Sequence, residues 1–316
     1  MLSNINKPTL LIGAILTCIA TVTSGAEAAD NKIANLSINA GIMSFSYPSA
    51  VDILETSPAG DRLLNSSDFD FRSAPTTELV GSLNFGNSSI SYSKIIPTDF
   101  SATLSFAAPN GHRLPADNAL VIATARGSDM KAELSASVKS EKLLFQVQPA
   151  GLIRFNFGLG LLNISDKLSL ESTNITGLPN TTLNYYYTAK NELSGPVIGF
   201  DTHIPLERSN SSISLSANIQ KLKGTAKTTA KVESPNLSVQ HSESFETLSS
   251  DISANYIYKL NGRGELFAGI SVINIGKLAY SADQISGHDL LNPASINTAY
   301  SSYFSRVYKF GFKINF

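Results

Sequence analysis

The sequence predicts an all-β chain: an antiparallel, up-and-down transmembrane barrel of about ten strands (roughly 8–12). Three observations predict it. Read back from the end, Phe316, Ile314, Phe312, Phe310 and Tyr308 are apolar or aromatic, while Asn315, Lys313, Gly311 and Lys309 between them are polar or small. That is the period of two of a strand with one oily and one wet face. The same period recurs along the chain between turn-forming stretches. Charged residues are 16% of the chain, against roughly 25% in soluble domains. After Asp30 no apolar run approaches the roughly 20 residues of a membrane helix. Strands satisfy their backbones in hydrocarbon only as a closed barrel.

Taken in order, Ala34–Tyr47 alternates through Leu36, Ile38, Ala40 and Ile42, then switches phase at Met43, which predicts a bulge near Gly41. Glu78–Phe85 alternates and runs into Gly86 and Asn87, a tight hairpin turn, with Ile90, Tyr92 and Ile96 on the return strand. Ala132, Leu134, Ala136 and Val138 alternate with Lys131, Glu133, Ser135 and Ser137. Ile153, Phe155, Phe157, Leu159 and Leu161 alternate with Arg154, Asn156, Gly158 and Gly160. Further strands follow at Val197–Leu206, Ile213–Gln220, Ile252–Lys259 and Glu265–Val272. A soluble β-sandwich also alternates, but its strands average about five or six residues, shorter than several of these. Short connections at 86–87, 207–211 and 260–264 contrast with long outer loops expected near 48–68, 108–127, 172–182, 233–244 and 282–297. Short turns at one end and long loops at the other suit a membrane barrel.

Residues 1–28 read as a cleaved signal peptide, leaving 29–316 as a single barrel. Lys7 supplies the early charge, Leu10–Val22 the apolar core, and Ala26 and Ala28 the small residues before the cut. Cys18 is the one cysteine and leaves with that segment, so disulfides and thiol chemistry are not expected. Ile15, Leu16 and Thr17 before it lack the small residue of a lipoprotein signal. The net charge of −1 gives no reason to expect a nucleic-acid partner.

With the apolar face on lipid, the other face would line the lumen: Lys131, Glu133, Arg154, Asp201, His203, Asp251, Lys259, Glu265, Lys309 and Lys313. Such charges either pair and plug a narrow barrel or bias an open water path. Tyr185, Tyr186, Tyr187, Tyr256, Tyr258, Tyr280, Tyr300, Tyr303 and Phe304 are candidates for interfacial girdles. The four histidines, His112, His203, His241 and His288, lie in separate segments with no metal-ligand spacing, and no nucleophile-elbow motif occurs. Asp201 and His203 share a strand face, a pair better explained by a hydrogen-bond network than by catalysis. No catalytic, metal or cofactor site is expected, and the chain reads as a non-enzyme.

Phe69–Asn87, Asp129–Leu162 with Gly158 and Gly160, Ser194–Asp201 with its Gly195-Pro196 step, and the closing Tyr308–Phe316 together resemble the major or pore-forming outer-membrane barrel family of Legionella-type bacteria. The resemblance implies a porin-like or structural surface barrel in a Gram-negative outer membrane and carries over no catalytic residue. The closing strand (Tyr308, Phe310, Phe312, Ile314, Phe316) resembles the assembly signal read by the outer-membrane assembly machinery. The expected role is a pore passing small solutes or ions, or an abundant surface protein. The alternative is a plugged barrel whose outer loops act as an adhesin or binding surface; a barrel hydrolase is the least favoured reading.

Overall fold

The computed structural model describes residues 34–46, 52–55, 62–65, 73–108, 112–113, 128–149, 152–173, 182–207, 210–233, 237–260, 263–284 and 297–316. The expected signal segment 1–28 and most of the loops near 48–68, 108–127, 172–182 and 282–297 lie outside these residues. The strands are β1 (Ala34–Ser46), β2 (Asp52–Glu55), β3 (Arg62–Asn65), β4 (Ala74–Phe85), β5 (Ser88–Ala108), β6 (His112–Arg113) and β7 (Ser128–Val147). Then follow β8 (Ile153–Thr173), β9 (Leu183–Pro205), β10 (Ser211–Val232), β11 (Leu237–Lys259), β12 (Gly264–Ala279) and β13 (Tyr300–Asn315). Ten of them form a closed antiparallel barrel in the order β1-β13-β12-β11-β10-β9-β8-β7-β5-β4, and β2, β3 and β6 form a small separate sheet.

The ring closes between the first and last strands, from Asn35 opposite Asn315 to Ser46 opposite Phe304. The Phe316 N–H donates to the Ala34 carbonyl (2.8 Å), so the terminal residue is tied rather than frayed. Both ends of the barrel chain share one rim with the Gly86–Asn87 turn, where Gly86 sits at φ 59°, a left-handed conformation that suits glycine. The long connections leave from the other rim.

The wall changes character halfway up. On β8 the outward residues are Ile153, Phe155, Phe157, Leu159 and Leu161, followed by Asn163, Ser165, Lys167, Ser169 and Glu171. The inward residues reverse this: Arg154, Asn156, Gly158 and Gly160, then Leu162, Ile164, Asp166, Leu168 and Leu170. Leu159 is 62% exposed and Ile164 is fully buried. β10 inverts at the same height, its outward Ile213, Leu215, Ala217 and Ile219 giving way to Lys221, Lys223, Lys227 and Lys231. The lower half is therefore apolar outside and polar inside; the upper half is polar outside with an apolar core of Met130, Leu134, Leu168, Tyr185, Leu222 and Tyr303. The outward apolar stretch of β8, at about 3.3 Å per residue and a ~45° tilt, stands roughly 20 Å tall, close to the ~25 Å band of membrane barrels. An exposed apolar belt of this extent around a closed barrel is the face such a barrel turns to hydrocarbon.

This inversion corrects several expectations. The phase switch at Met43 is no bulge, because β1 keeps unbroken register with both neighbours through Gly41; Met43 points inward and is buried because the interior there is apolar. The bulge lies on β5, where the ladder slips between Ile95 and Thr98. Pro97, which has no N–H to donate, sits in that slip, and the inward set passes from Ser93 and Ile95 to Thr98 and Phe100. The loop expected at 233–244 is mostly strand, since β11 begins at Leu237. Its Ser238, Gln240, Ser242 and Ser244 are polar because they face outward above the belt. The barrel is also lopsided: β5 and β7–β11 run 20–23 residues, but β1 and β4 only 13 and 12.

The inversion predicts opposite outcomes for neighbours on one strand. Leu168→Ala should destabilise the refolded barrel by about 2–5 kcal/mol, and Lys167→Ala should stay within ~0.5 kcal/mol, as measured by urea unfolding in vesicles.

Candidate functional site: the barrel interior and its plug

Strand pleat decides what the interior contains, since successive side chains alternate between lipid or solvent and bore. Of the sequence-predicted lumen residues, Arg154, Asp201, His203, Asp251, Lys259, Glu265, Lys309 and Lys313 lie on inward-facing positions in the lower half. Lys131 and Glu133 do not. They face outward above the belt, 48% and 52% exposed and paired with each other (2.5 Å), and the inward face there carries Ala132 and Leu134. Alternation alone cannot say which of its two sets faces in. Of the girdle candidates, Tyr185, Tyr187, Tyr280 and Tyr303 are buried inside the barrel, while Tyr256 and Tyr258 are exposed on the outward face.

The inward polar residues join across the bore. Lys142 of β7 is ion-paired with Asp251 of β11, and Asn218 Nδ2 donates to the other oxygen of that carboxylate (3.0 Å). Asn156 Nδ2 donates to Asn218 Oδ1 (3.2 Å). This contact passes over Gly199 on the strand between them, where an added Cβ would lie 2.2 Å from the Asn218 oxygen. Gln146 Nε2 donates to Asn156 Oδ1 (3.0 Å) and to Asp201 Oδ1 (3.3 Å). Asp201 stands 4.0 Å from Arg154. A second set joins Lys309 and Asn39 to one oxygen of Glu78 (3.3 and 2.9 Å). Near the short-turn rim, Lys313 and Asn315 both reach Glu265 (3.3 Å each). Charges removed from bulk water are tolerated when paired and hydrogen-bonded in this way. Between the first two sets lies a cavity of about 170 Å³ lined by Asn39, Glu78, Lys142, Asn218, Asp251 and Lys309, room for several water molecules. Sequence reading missed Glu78 and Lys142; Glu78 shares the polar phase of Val80, Ser82 and Asn84 on β4 and could have been found from it, whereas Lys142 shares its phase with Leu144 and carries no such signal.

Above this chamber the chain itself fills the bore. At the end of β12 the ladder with β13 slips between Ile275 and Leu278, and Leu278, Ala279, Tyr280, Ser281, Ala282, Asp283 and Gln284 are all buried. The loop expected near 282–297 thus starts inside the barrel, with Ala282, Asp283 and Gln284 buried in this plug; residues 285–296 lie outside the described residues. Its Ala279 N–H donates to Asn191 Oδ1 (3.0 Å), and Asn191 Nδ2 donates back to the Ala279 carbonyl (2.8 Å). The Ser281 N–H donates to Asp166 Oδ2 (2.7 Å), which the Ser281 hydroxyl also reaches. Gln284 Nε2 holds the Tyr280 and Ala299 carbonyls (2.8 and 3.0 Å). The polar atoms of an irregular segment in an apolar interior need such partners, and Asp166 and Asn191 are the inward polar residues that provide them. Burial of the plug residue Asp283 pushes its carboxyl up to about 6.

Among the described residues no group of three or more His, Asp or Glu side chains is placed to hold a metal ion. No protein-family model and no curated protein matches the sequence. Among solved structures, the outer membrane protease OmpT from Escherichia coli matches with a TM-score of 0.52 at 10% identity, over 93% of this chain and 100% of that one. The translocator domain of the autotransporter NalP from Neisseria meningitidis matches at 0.41 and 8%, over 98% of each chain. The P. putida toluene transporter TodX matches at 0.35 and 12%, over 94% of this chain and 92% of that one. The first match shows the fold, an outer-membrane β-barrel, and nothing of chemistry; the other two are too distant to carry an argument. These matches do not show the Legionella-type family.

Two outcomes follow from the interior. Lys142→Met leaves Asp251 without its cation and should cost about 1–3 kcal/mol. Adding Asp251→Asn should restore part of that loss in a double-mutant cycle. The folded barrel holds the Asp283 proton more tightly than the unfolded chain, where Asp titrates near 4. This contribution is therefore complete below about pH 4 and is lost as the pH rises through about 6. The fall in unfolding midpoint between pH 5 and 7.5 should be smaller in Asp283→Asn than in wild type.

Proposed function

We propose that the chain is a closed outer-membrane barrel of a Gram-negative bacterium, acting as a structural surface protein whose extramembrane wall and outer loops form a binding platform. The observation that carries this reading is the filled bore: the 278–284 plug and an apolar core stand above a polar chamber whose charges are paired. A passive, permanently open porin would instead keep a continuous wet path past its lumen charges. The Legionella-type resemblance is compatible with this role, and the closing strand Tyr308–Phe316 is the segment we assign to the assembly machinery.

A gated pore is the second reading. The plug is favoured as a movable part because its wall contacts concentrate on two polar anchors, Asp166 and Asn191. A hydrolase is not favoured. Asp201 is engaged by Arg154 and Gln146, and it lies with His203 toward the short-turn rim, away from the outer loops.

Single-channel recording in planar bilayers separates these readings. The closed barrel predicts silent insertion of the wild type and of Asp166→Ala/Asn191→Ala. Discrete steps in the double variant alone would establish the plug as a gate, and steps in the wild type would overturn the closed reading.

A further inference from the structure

Directly above the apolar belt, β9 and β10 carry a lysine patch that neither the fold nor the plug uses. The outward face of β10 passes from Ile219 to Lys221, Lys223 and Lys227. Lys190 of β9 stands opposite Lys227, and Glu246 of β11 opposite Lys223. Two carboxylates serve four ammonium groups. Glu192 takes Lys190 (2.6 Å) and Lys227 (3.7 Å); Glu246 takes Lys221 (3.0 Å) and Lys223 (3.7 Å). The patch therefore keeps two unneutralised positive charges. Lys221 and Lys223 are 64% and 73% exposed; Lys221 follows Ile219 on the outward face and stands opposite Leu248, both exposed on the belt. At about 3.3 Å per residue and a ~45° tilt, Lys221 and Lys223 stand roughly 5 and 9 Å above Ile219, the depth of lipid head groups, and Lys227 with Lys190 opposite it roughly 19 Å above, so the two lysine pairs are stacked one over the other. The opposite wall is poorer in charge at this height. There β12 turns Asn274 outward, β1 Ser44 and β4 Thr77, and Arg306 of β13 lies over the Phe304 ring (5.3 Å).

The geometry points to a binding site for a phosphorylated lipid head group of the loop-side leaflet, formed by Lys190, Lys221, Lys223 and Lys227. The lower pair, Lys221 and Lys223, attracts anionic lipid at this depth over about a Debye length, the upper pair, Lys190 and Lys227, meets phosphate carried higher on the head group, and phosphate oxygens accept from several ammonium groups at once. The two lysine pairs, each already sharing one carboxylate, leave one positive charge each. A head group carrying two phosphates matches that charge better than one carrying a single phosphate. The shared carboxylates limit the affinity. The Lys190 contact holds Glu192 ionised below the usual carboxylate range, and the Lys221 contact does the same for Glu246.

The test uses the full barrel in zwitterionic detergent, titrated separately with diphosphoryl lipid A, monophosphoryl lipid A, phosphatidylcholine and inorganic phosphate. Bound lipid is counted by native mass spectrometry and the unfolding midpoint is followed by gel mobility. The site predicts binding in the order diphosphoryl, monophosphoryl, phosphatidylcholine, weakening as salt rises. Lys221→Gln/Lys223→Gln/Lys227→Gln should lose at least tenfold in affinity for diphosphoryl lipid A. Glu192→Gln/Glu246→Gln, which removes the competing carboxylates, should gain affinity and keeps the test decisive if the lysine variant folds poorly. Lys131→Gln/Lys167→Gln, on the neighbouring strands β7 and β8 and outside the Glu192 and Glu246 pairs, should bind as wild type. Equal binding of phosphatidylcholine, an equal loss in the Lys131/Lys167 variant, or no gain in the glutamate variant would overturn the proposal. Inorganic phosphate reproducing the full midpoint shift would reduce the patch to a simple anion site and overturn the lipid assignment. Failure to insert into any bilayer would instead count against the membrane-barrel role proposed above.

Discussion

The rest of the structure depends on ring closure. A strand in hydrocarbon has no water to satisfy its N–H and C=O groups, and an open edge there would strand several of them at a cost of several kcal/mol each. The pairing of β1 with β13, tied off by Phe316 and Ala34, removes the last edge at the level of the belt. Once the ring is closed, pleat assigns every second side chain to the bore. The chain must then fill a tube whose wall sees oil below and water above.

That change of surroundings explains the inversion. In the lower half hydrophobic burial is supplied by lipid, so apolar side chains point out and the bore is left to Asn, Gln, Ser and paired charges. In the upper half the exterior meets water, and the hydrophobic effect acts as in any soluble sheet, driving Leu168, Leu222 and Tyr185 inward. The plug belongs to the upper regime. Leu278, Ala279 and Tyr280 add apolar volume to that core, and Asp166 and Asn191 answer the backbone groups brought in with them. The lower bore cannot be filled the same way, because its polar groups are already committed to Lys142–Asp251, Lys309–Glu78 and the amide chain between Gln146 and Asn218.

Much of the barrel was legible in the sequence because period two is a local property. Ile153 to Leu161 and Tyr308 to Phe316 declare an oily face wherever they sit. The facing of the upper half was not legible from period alone. Ala132, Leu134 and Ala136 against Lys131 and Glu133 form the same pattern with the opposite meaning, and only height relative to the membrane decides between them. A signal did exist: on β10 the apolar set changes phase between Ile219 and Leu222 without the Gly or Pro that would mark a bulge. At Met43 the same signal was read as an irregularity of β1. The plug had no periodic signature, and its anchors, Asp166 and Asn191, look like ordinary polar positions until the residues they hold are known.

The seam between β1 and β13 joins strands far apart in sequence, whereas β10 and β11 follow one another in sequence and pair along nearly their whole 22 and 23 residues. Closing a loop of almost the full chain carries the largest entropic penalty of any contact in the molecule, and non-local pairings of this kind set the pace of assembly. The seam repays that penalty with a ladder running only from Asn35 to Ser46, about half the length of the β10–β11 ladder. The tall wall is thus the part able to form from local hairpins, and the seam is the latch: last to engage, and the place where a barrel under strain would part.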